Sequence, residues 1–144
     1  MDVPQLLARE AIRDLVARYN AYGDSGLFDP MMDLFTPDAA LELEDRTYRG
    51  RDDIRAMFAS VPERSSEGGT RPPAYLRHCT ATHQIDLVDD DHATGRCYFS
   101  VLSSIGLDHW GRYLDGYRRV DGAWSFARRR VLVDDLHPDS TFRH

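Results

Sequence analysis

The sequence predicts an α+β fold: a cone-shaped, curved antiparallel sheet from the C-terminal half wraps around three helices from the N-terminal half. Three observations predict it. Apolar residues recur at helical spacing only between Val3 and Phe58. From Ala74 onward the chain alternates with period two. Turn signals then divide that second half into four long segments, the pattern of a meander. Such a sheet must bury one face, and the N-terminal helices are its available cover. A strongly curved sheet half closed by helices leaves a hollow, and ligands bind in hollows of that kind.

Each element has its own local reason. Val3 to about Gly23 carries Leu6, Leu7, Ile12, Leu15, Val16 and Tyr19 at helical spacing, with Asp2 as a cap and Gly23 where a helix would end. Asp29 followed by Pro30 reads as the start of a second, short helix covering Met31 to Phe35 and stopping before Pro37. Ala39 to Glu44 alternates apolar with acidic residues, as a strand does, and Arg46 to Arg49 reads as its short partner. Gly50, Asp52 and Asp53 open a third helix through Ile54, Met57 and Phe58. Residues 61–73 are rich in Pro, Gly and Ser and read as a loop. The four strands that follow are Tyr75–Val88, Ala93–Ser104, about Gly111–Val120 and Trp124–Asp134. Turns are expected at Asp89–Asp91, around Gly106–Asp108, and at Asp121–Gly122, a strong hairpin signal.

Composition narrows the partners. A length of 144 residues fits one domain spanning the chain, and 42% apolar with 29% charged residues is ordinary for a globular protein. The net charge of −6 and the scattered arginines argue against nucleic acid, which requires a basic patch. No apolar run approaches the ~20 residues of a membrane span, and no secretion signal is visible, so a cytoplasmic protein is expected. In the hairpin register set by Asp90–Asp91, Cys97 falls opposite Gln84 and not Cys79, so two free, buried thiols are expected. No Cys or His pair has zinc-like spacing, and no glycine-rich phosphate loop follows a strand. Neither a metal nor a cofactor is therefore expected.

Five short motifs occur in order: Tyr19 and Asp24 around the end of the first helix, Phe35-Thr-Pro-Asp38-Ala39, Tyr48-Arg-Gly50 before Ile54, Arg77-His78 opening the first long strand, and Asp121-Gly122-Ala-Trp124. In this arrangement the chain resembles the SnoaL-like family of the nuclear-transport-factor-2-like (cystatin-like) α+β barrels, from Leu6 to about Val133. Relatives of that kind include scytalone dehydratase, bile-acid 7α-dehydratase, a hexachlorocyclohexane dehydrochlorinase, ketosteroid isomerase and polyketide cyclases. Non-catalytic β subunits of ring-hydroxylating dioxygenases share the fold. The resemblance therefore fixes fold more firmly than chemistry.

The resemblance to the dehydratases implies an acid–base pair of Asp24 and His78 inside the pocket. Imidazole titrates near neutrality, and a buried carboxylate beside it fixes the tautomer and stabilises the imidazolium. It also implies Tyr19 as a hydrogen bond donor to a substrate oxygen, with Tyr22 competing for that task, and Arg129 as a pocket cation for a developing anion. Tyr113, Phe35, Met57, Phe58 and Thr82 are expected to touch substrate. Family members often carry Asn where Thr82 stands, which removes any contact that depends on that amide.

Strand alternation sets two of these assignments against local pattern. Cys79, Ala81, Ile85 and Leu87 share one face of their strand, so regular pairing would turn His83, and not His78, toward the core. A bulge between Cys79 and His83 would turn His78 inward. Among Arg128, Arg129 and Arg130, alternation lets only one face point inside.

Two functions follow as expectations. One is a cofactor-independent lyase or isomerase, a dehydratase first, acting on a small, largely apolar cyclic molecule; ketosteroid-isomerase-like or polyketide-cyclase-like chemistry comes next. The other is a non-catalytic ligand-binding or assembly module. An inward Asp24–His78 pair in hydrogen bond reach favours the enzyme, and a cavity filled by core side chains favours the module. Under either, the exposed sheet face is expected to support a homodimer or higher assembly.

Overall fold

A computed structural model describes residues 1–60 and 75–142. The expected loop at 61–73 lies outside these residues. Three helices, α1 (Val3–Asp24), α2 (Phe28–Met32) and α3 (Arg51–Ser60), accompany six strands: β1 (Phe35–Glu42), β2 (Thr47–Arg49), β3 (Arg77–Leu87), β4 (His92–Ser103), β5 (Gly106–Val120) and β6 (Ala123–Leu136). The strands form one curved, unclosed sheet in the order β2-β1-β6-β5-β4-β3.

The long helix forms for the reasons its sequence gives. Asp2 accepts the Gln5 N–H at 2.9 Å while the Gln5 side chain accepts the Asp2 N–H at 2.9 Å, a reciprocal cap. Ile12, Leu15, Val16, Tyr19 and Asn20 are the buried stripe. Leu6 and Leu7, expected in that stripe, are exposed, while Pro4, Gln5 and Ala8 turn toward a cleft shared with Leu87, Arg119 and Trp124. The second helix begins at Phe28, not Asp29, and Asp29 makes no cap; Phe35 already belongs to β1.

The meander from β3 to β6 is antiparallel throughout, as expected. The sequence did not indicate that β1 would pair with β6 in parallel. Pro37 lies inside β1, where the ladder to β6 skips from Phe35↔Phe126 to Ala40↔Arg128. Pro has no N–H to donate, so the irregularity falls where a bond would be missing. The opposite edge, β3, is protected differently. From α1, Arg9 and Arg13 donate to the carbonyls of Ile85 and His83, at 2.6 and 3.3 Å. Those groups would otherwise be an open edge.

Bulges bend the sheet into a cone. In β3, Ala81 pairs with Tyr98 and Gln84 with Arg96, so Thr82 and His83 together oppose Cys97. In β5, Leu107 pairs with Leu102 and His109 with Val101, leaving Asp108 extra. Cys97 thus faces the bulge and not Gln84. Both cysteines are free, but Cys79 is exposed and only Cys97 is buried, where burial pushes its thiol up to about 11. Cys79 was expected inside; parity before the bulge turns it outward.

Candidate active site

The β3 bulge decides which side chains reach the interior. Before it, His78 and Thr80 pair with the buried Val101 and Phe99 of β4 and share their face; after it, His83 and Ile85 do. Both histidines therefore point to the concave side. They serve different ends of it. His83 Nε2 lies 3.2 Å from the Tyr117 hydroxyl, while His78 lines a cavity.

That cavity holds about 240 Å³. Its walls are mainly apolar: Phe28, Met31, Leu41, Leu43, Met57, Phe58, Leu76, Phe99, Val131, Val133 and Phe142. The polar side chains on it are Tyr19, Asn20, His78, His109 and Tyr113. Tyr113 donates to Asn20 Oδ1 at 3.2 Å. Burial raises the phenol pKa of both Tyr19 and Tyr113, so both stay protonated and able to donate.

Asp24, the last residue of α1, grips His78 twice. Its Oδ2 accepts the backbone N–H of His78 at 2.9 Å, and its Oδ1 lies 2.5 Å from His78 Nδ1. The carboxylate places the proton on Nδ1 and turns Nε2 to the cavity. The helix end supplies one partner and the start of a strand the other. The dyad is therefore fixed by the docking of α1 on β3.

The other expected residues divide. Tyr19, Met57, Phe58 and Tyr113 line the cavity. Tyr22 does not; it is half-buried and its hydroxyl accepts from Arg18 at 3.2 Å. Phe35 is fully buried behind Tyr19, with ring centroids 6.0 Å apart, in the core and away from the cavity. Thr82 is exposed at the bulge with φ of 54°. That left-handed conformation suits Asn far better than a β-branched residue, which gives a backbone reason for an amide at this position.

Among the three arginines, Arg129 is the inward one and Arg128 and Arg130 are exposed. Arg129 is not on the cavity wall, contrary to expectation. Its Nε and Nη2 donate to the two carboxylate oxygens of Asp115, each at 2.8 Å, and both side chains are fully buried. The guanidinium lies 4.3 Å and 3.8 Å from the ring centroids of Tyr19 and Tyr113. Those rings stand between it and the cavity. Burial alone would lower its pKa, but Asp115 outweighs that and keeps it charged. The cause is Asp115, directly opposite in register, whose role the sequence did not single out.

His109 and Asp108 also escaped the sequence reading, because 106–108 looked like a turn. Both are buried, and His109 Nδ1 lies 2.8 Å from Asp108 Oδ1. An adjacent Asp-His pair beside a bulge was the available signal. Phe142, from the tail, stacks on His109 with centroids 4.0 Å apart and closes one side of the cavity. Among the described residues, no group of three or more His, Cys, Asp or Glu is placed to hold a metal ion, and no helix is long and apolar enough to cross a membrane.

Similarity to known proteins agrees with this architecture. The chain is similar in fold to a candidate scytalone dehydratase from Novosphingobium aromaticivorans, with 20% identity, 99% of this chain and 94% of that one covered, and a TM-score of 0.84. It is similar to the hexachlorocyclohexane dehydrochlorinase LinA-type3 from Novosphingobium barchaimii, with 19% identity, 100% and 98% covered, and a TM-score of 0.80. It is also similar to Rv3472 from Mycobacterium tuberculosis, a protein of unknown function, with 27% identity, 96% and 79% covered, and a TM-score of 0.75. No curated protein matches. Residues 4–130 match the SnoaL-like domain, and the chain belongs to the SnoaL-like family.

Proposed function

We propose that the protein is a cofactor-independent lyase that removes water from a cyclic substrate of one or two fused rings, with His78 as the base. The observation that carries this reading is the Asp24–His78 dyad on the wall of an open, apolar cavity. A pocket filled by core side chains would have favoured a binding module instead. The two similar proteins named for eliminations support the same class of reaction.

Size sets the substrate class. A cavity of ~150 Å³ accepts benzene, so 240 Å³ accommodates one ring with substituents or two fused rings. In the reaction, His78 Nε2 takes a proton from carbon next to a carbonyl, and the C–H electron pair becomes the new double bond. Asp24 stabilises the imidazolium as it forms. The Tyr19 hydroxyl is the donor available to an enolate oxygen, since the Tyr113 proton is given to Asn20. Arg129, held behind the Tyr19 and Tyr113 rings and neutralised by Asp115, does not touch substrate.

The test is a screen of β-hydroxy ketones with one and two rings, followed by absorbance of the conjugated product. Wild type is expected to turn over at least one compound, with Asp24→Asn and His78→Ala each losing at least ~100-fold in kcat while remaining folded. Binding without turnover, unchanged in both variants, would replace this reading with a binding module.

A further inference from the structure

The cavity wall is mainly apolar, and one of its polar groups is an amide that packing does not call for. Asn20 lies one helical turn before Asp24 on α1, in the stripe that also buries Ile12 and Val16, so the helix holds the amide and the dyad on one face. It is 7% exposed and lines the cavity. Its Oδ1 accepts from the Tyr113 hydroxyl at 3.2 Å. Its Nδ2 makes no hydrogen bond among the described residues, and it is not sealed within the protein as Arg129 Nη1 is. An amide with both N–H groups unpaired costs stability in an apolar wall, and leucine at this position would avoid that cost.

Tyr113 fixes how the amide is presented. Its ring stacks on Phe99 with centroids 4.6 Å apart and planes at 18°, and the Arg129 guanidinium lies 3.8 Å from its centroid. The ring is therefore held, and the hydroxyl with it. Because Tyr113 gives its proton to Oδ1, Nδ2 is left for the cavity, and the phenol oxygen keeps its acceptor side. Nδ2 shares its carbon with the Oδ1 that Tyr113 bonds, so one donor and one acceptor lie within reach of a single ligand group. Burial keeps the Tyr113 proton in place, and an amide has no proton to transfer. The couple can hold a group but cannot react with it.

We propose that Asn20 and Tyr113 form a specificity subsite for a hydroxyl on the substrate ring: Asn20 Nδ2 donates to the hydroxyl oxygen, and the Tyr113 oxygen accepts the hydroxyl hydrogen. A hydroxyl satisfies both partners because it donates and accepts. A carbonyl or ether would leave the Tyr113 acceptor unmet, and an ammonium would set donors against the amide N–H groups. The substrate is then a ring that keeps one hydroxyl through the reaction, in addition to the group that leaves. As a statement about the substrate, this rests on the elimination reading above. A site built to bond a hydroxyl discriminates against the analogue that lacks it, because its own polar groups are then left unpaired.

The experiment compares 2-naphthol with 2-methylnaphthalene, which carry a hydroxyl and a methyl on the same two rings, by fluorescence titration. Wild type is expected to bind 2-naphthol at least ~10-fold more tightly. Asn20→Leu/Tyr113→Phe removes both partners and leaves neither unpaired, so the fold should tolerate it. This double variant should bind 2-methylnaphthalene at least as tightly as 2-naphthol. A preference that persists in the double variant, or that wild type lacks, overturns the proposal. A second measurement needs no variant. Asn20 is the only asparagine in the sequence, so ¹⁵N-asparagine labelling gives a single side-chain amide signal. Addition of 2-naphthol should shift that signal, and an unmoved signal refutes the contact. Neither readout uses turnover: a protein that shows the preference but removes water from no β-hydroxy ketone loses the elimination reading and keeps the subsite. With turnover, 3,5-dihydroxycyclohexanone retains one hydroxyl after losing the other. It should exceed 3-hydroxycyclohexanone by at least ~10-fold in kcat/KM, and equal values overturn the substrate assignment.

Discussion

At the residue scale, the buried charges of this protein are paired, and pairing decides what each can do. Arg129 gives Nε and Nη2 to Asp115, which also accepts from the Tyr117 hydroxyl, while Arg129 Nη1 has no hydrogen-bond partner among the described residues. Removing one member leaves an unpaired buried charge, so Arg129→Met is expected to cost ~3–5 kcal/mol in urea unfolding. The double variant Arg129→Met/Asp115→Leu should recover much of that loss. Asp108 is different because its charge has a pH signature. Burial pushes its pKa up, but the hydrogen bonds from Ser140, Ser103 and His109 outweigh that and hold it at about 2. This lies below the value of an unfolded aspartate, so its contribution to stability is complete above the unfolded value and disappears as pH falls through about 2. Asp108→Asn should be less stable than wild type by ~2 kcal/mol at neutral pH. The gap should narrow as pH falls below ~4, measured by urea unfolding at each pH. His83 shifts in the other chemical sense. Burial, with the nearby Arg13, lowers its pKa, so folding favours its neutral form and acid works against it.

At the scale of elements, the bulges account for much of the site. One extra residue in β3 places His78 and His83 on the same side, and one in β5 does so for Asp108 and His109. The strain at Thr82 gives a direct check. Thr82→Asn keeps the left-handed backbone at lower cost and should stabilise the fold by ~1 kcal/mol in thermal or urea unfolding. A second check lies where β5 and β6 change register. A Cβ at Gly111 would come within 1.9 Å of the Leu132 carbonyl oxygen, so the backbones must part. Gly111→Ala is expected to lose ~1–3 kcal/mol, and more if the pairing to β6 opens. The sequence showed the β3 bulge through its conflict with alternation, because His78 and Ile85 have opposite parity and both belong inside. The β5 bulge raised no such conflict, since Gly106–Asp108 already read as a turn, and with it Asp108 and His109 were hidden.

At the scale of the whole molecule, helices first and a meander after were legible because each rests on a local period. The parallel pairing of β1 with β6 was not. It joins segments far apart in sequence and has no turn to announce it. The dyad was legible only through the family resemblance, since Asp24 by composition is an ordinary helix-end residue. Arg129 illustrates the limit of such transfer: its inward direction could be expected, but its partner on the opposite strand determined its role. The tail also acts at this scale. Phe142 covers His109 and Ser140 holds Asp108, so closure of the cavity and support of the Asp108–His109 pair belong to one segment. Phe142→Ala should weaken binding of 2-naphthol by about tenfold, read by fluorescence titration, through loss of one aromatic wall.

Dehydration, isomerisation and ring closure differ in what leaves, but all three would begin with His78 removing a proton from carbon. That step can be observed alone. With 2-tetralone in deuterium oxide, which has a ring carbonyl and no leaving group, wild type should accelerate deuterium uptake at the carbon next to the carbonyl. His78→Ala should fall by at least ~100-fold, with Asp24→Asn between them. Exchange at the same rate in wild type and His78→Ala would show that the dyad is not the base and that the cavity does no proton chemistry through it.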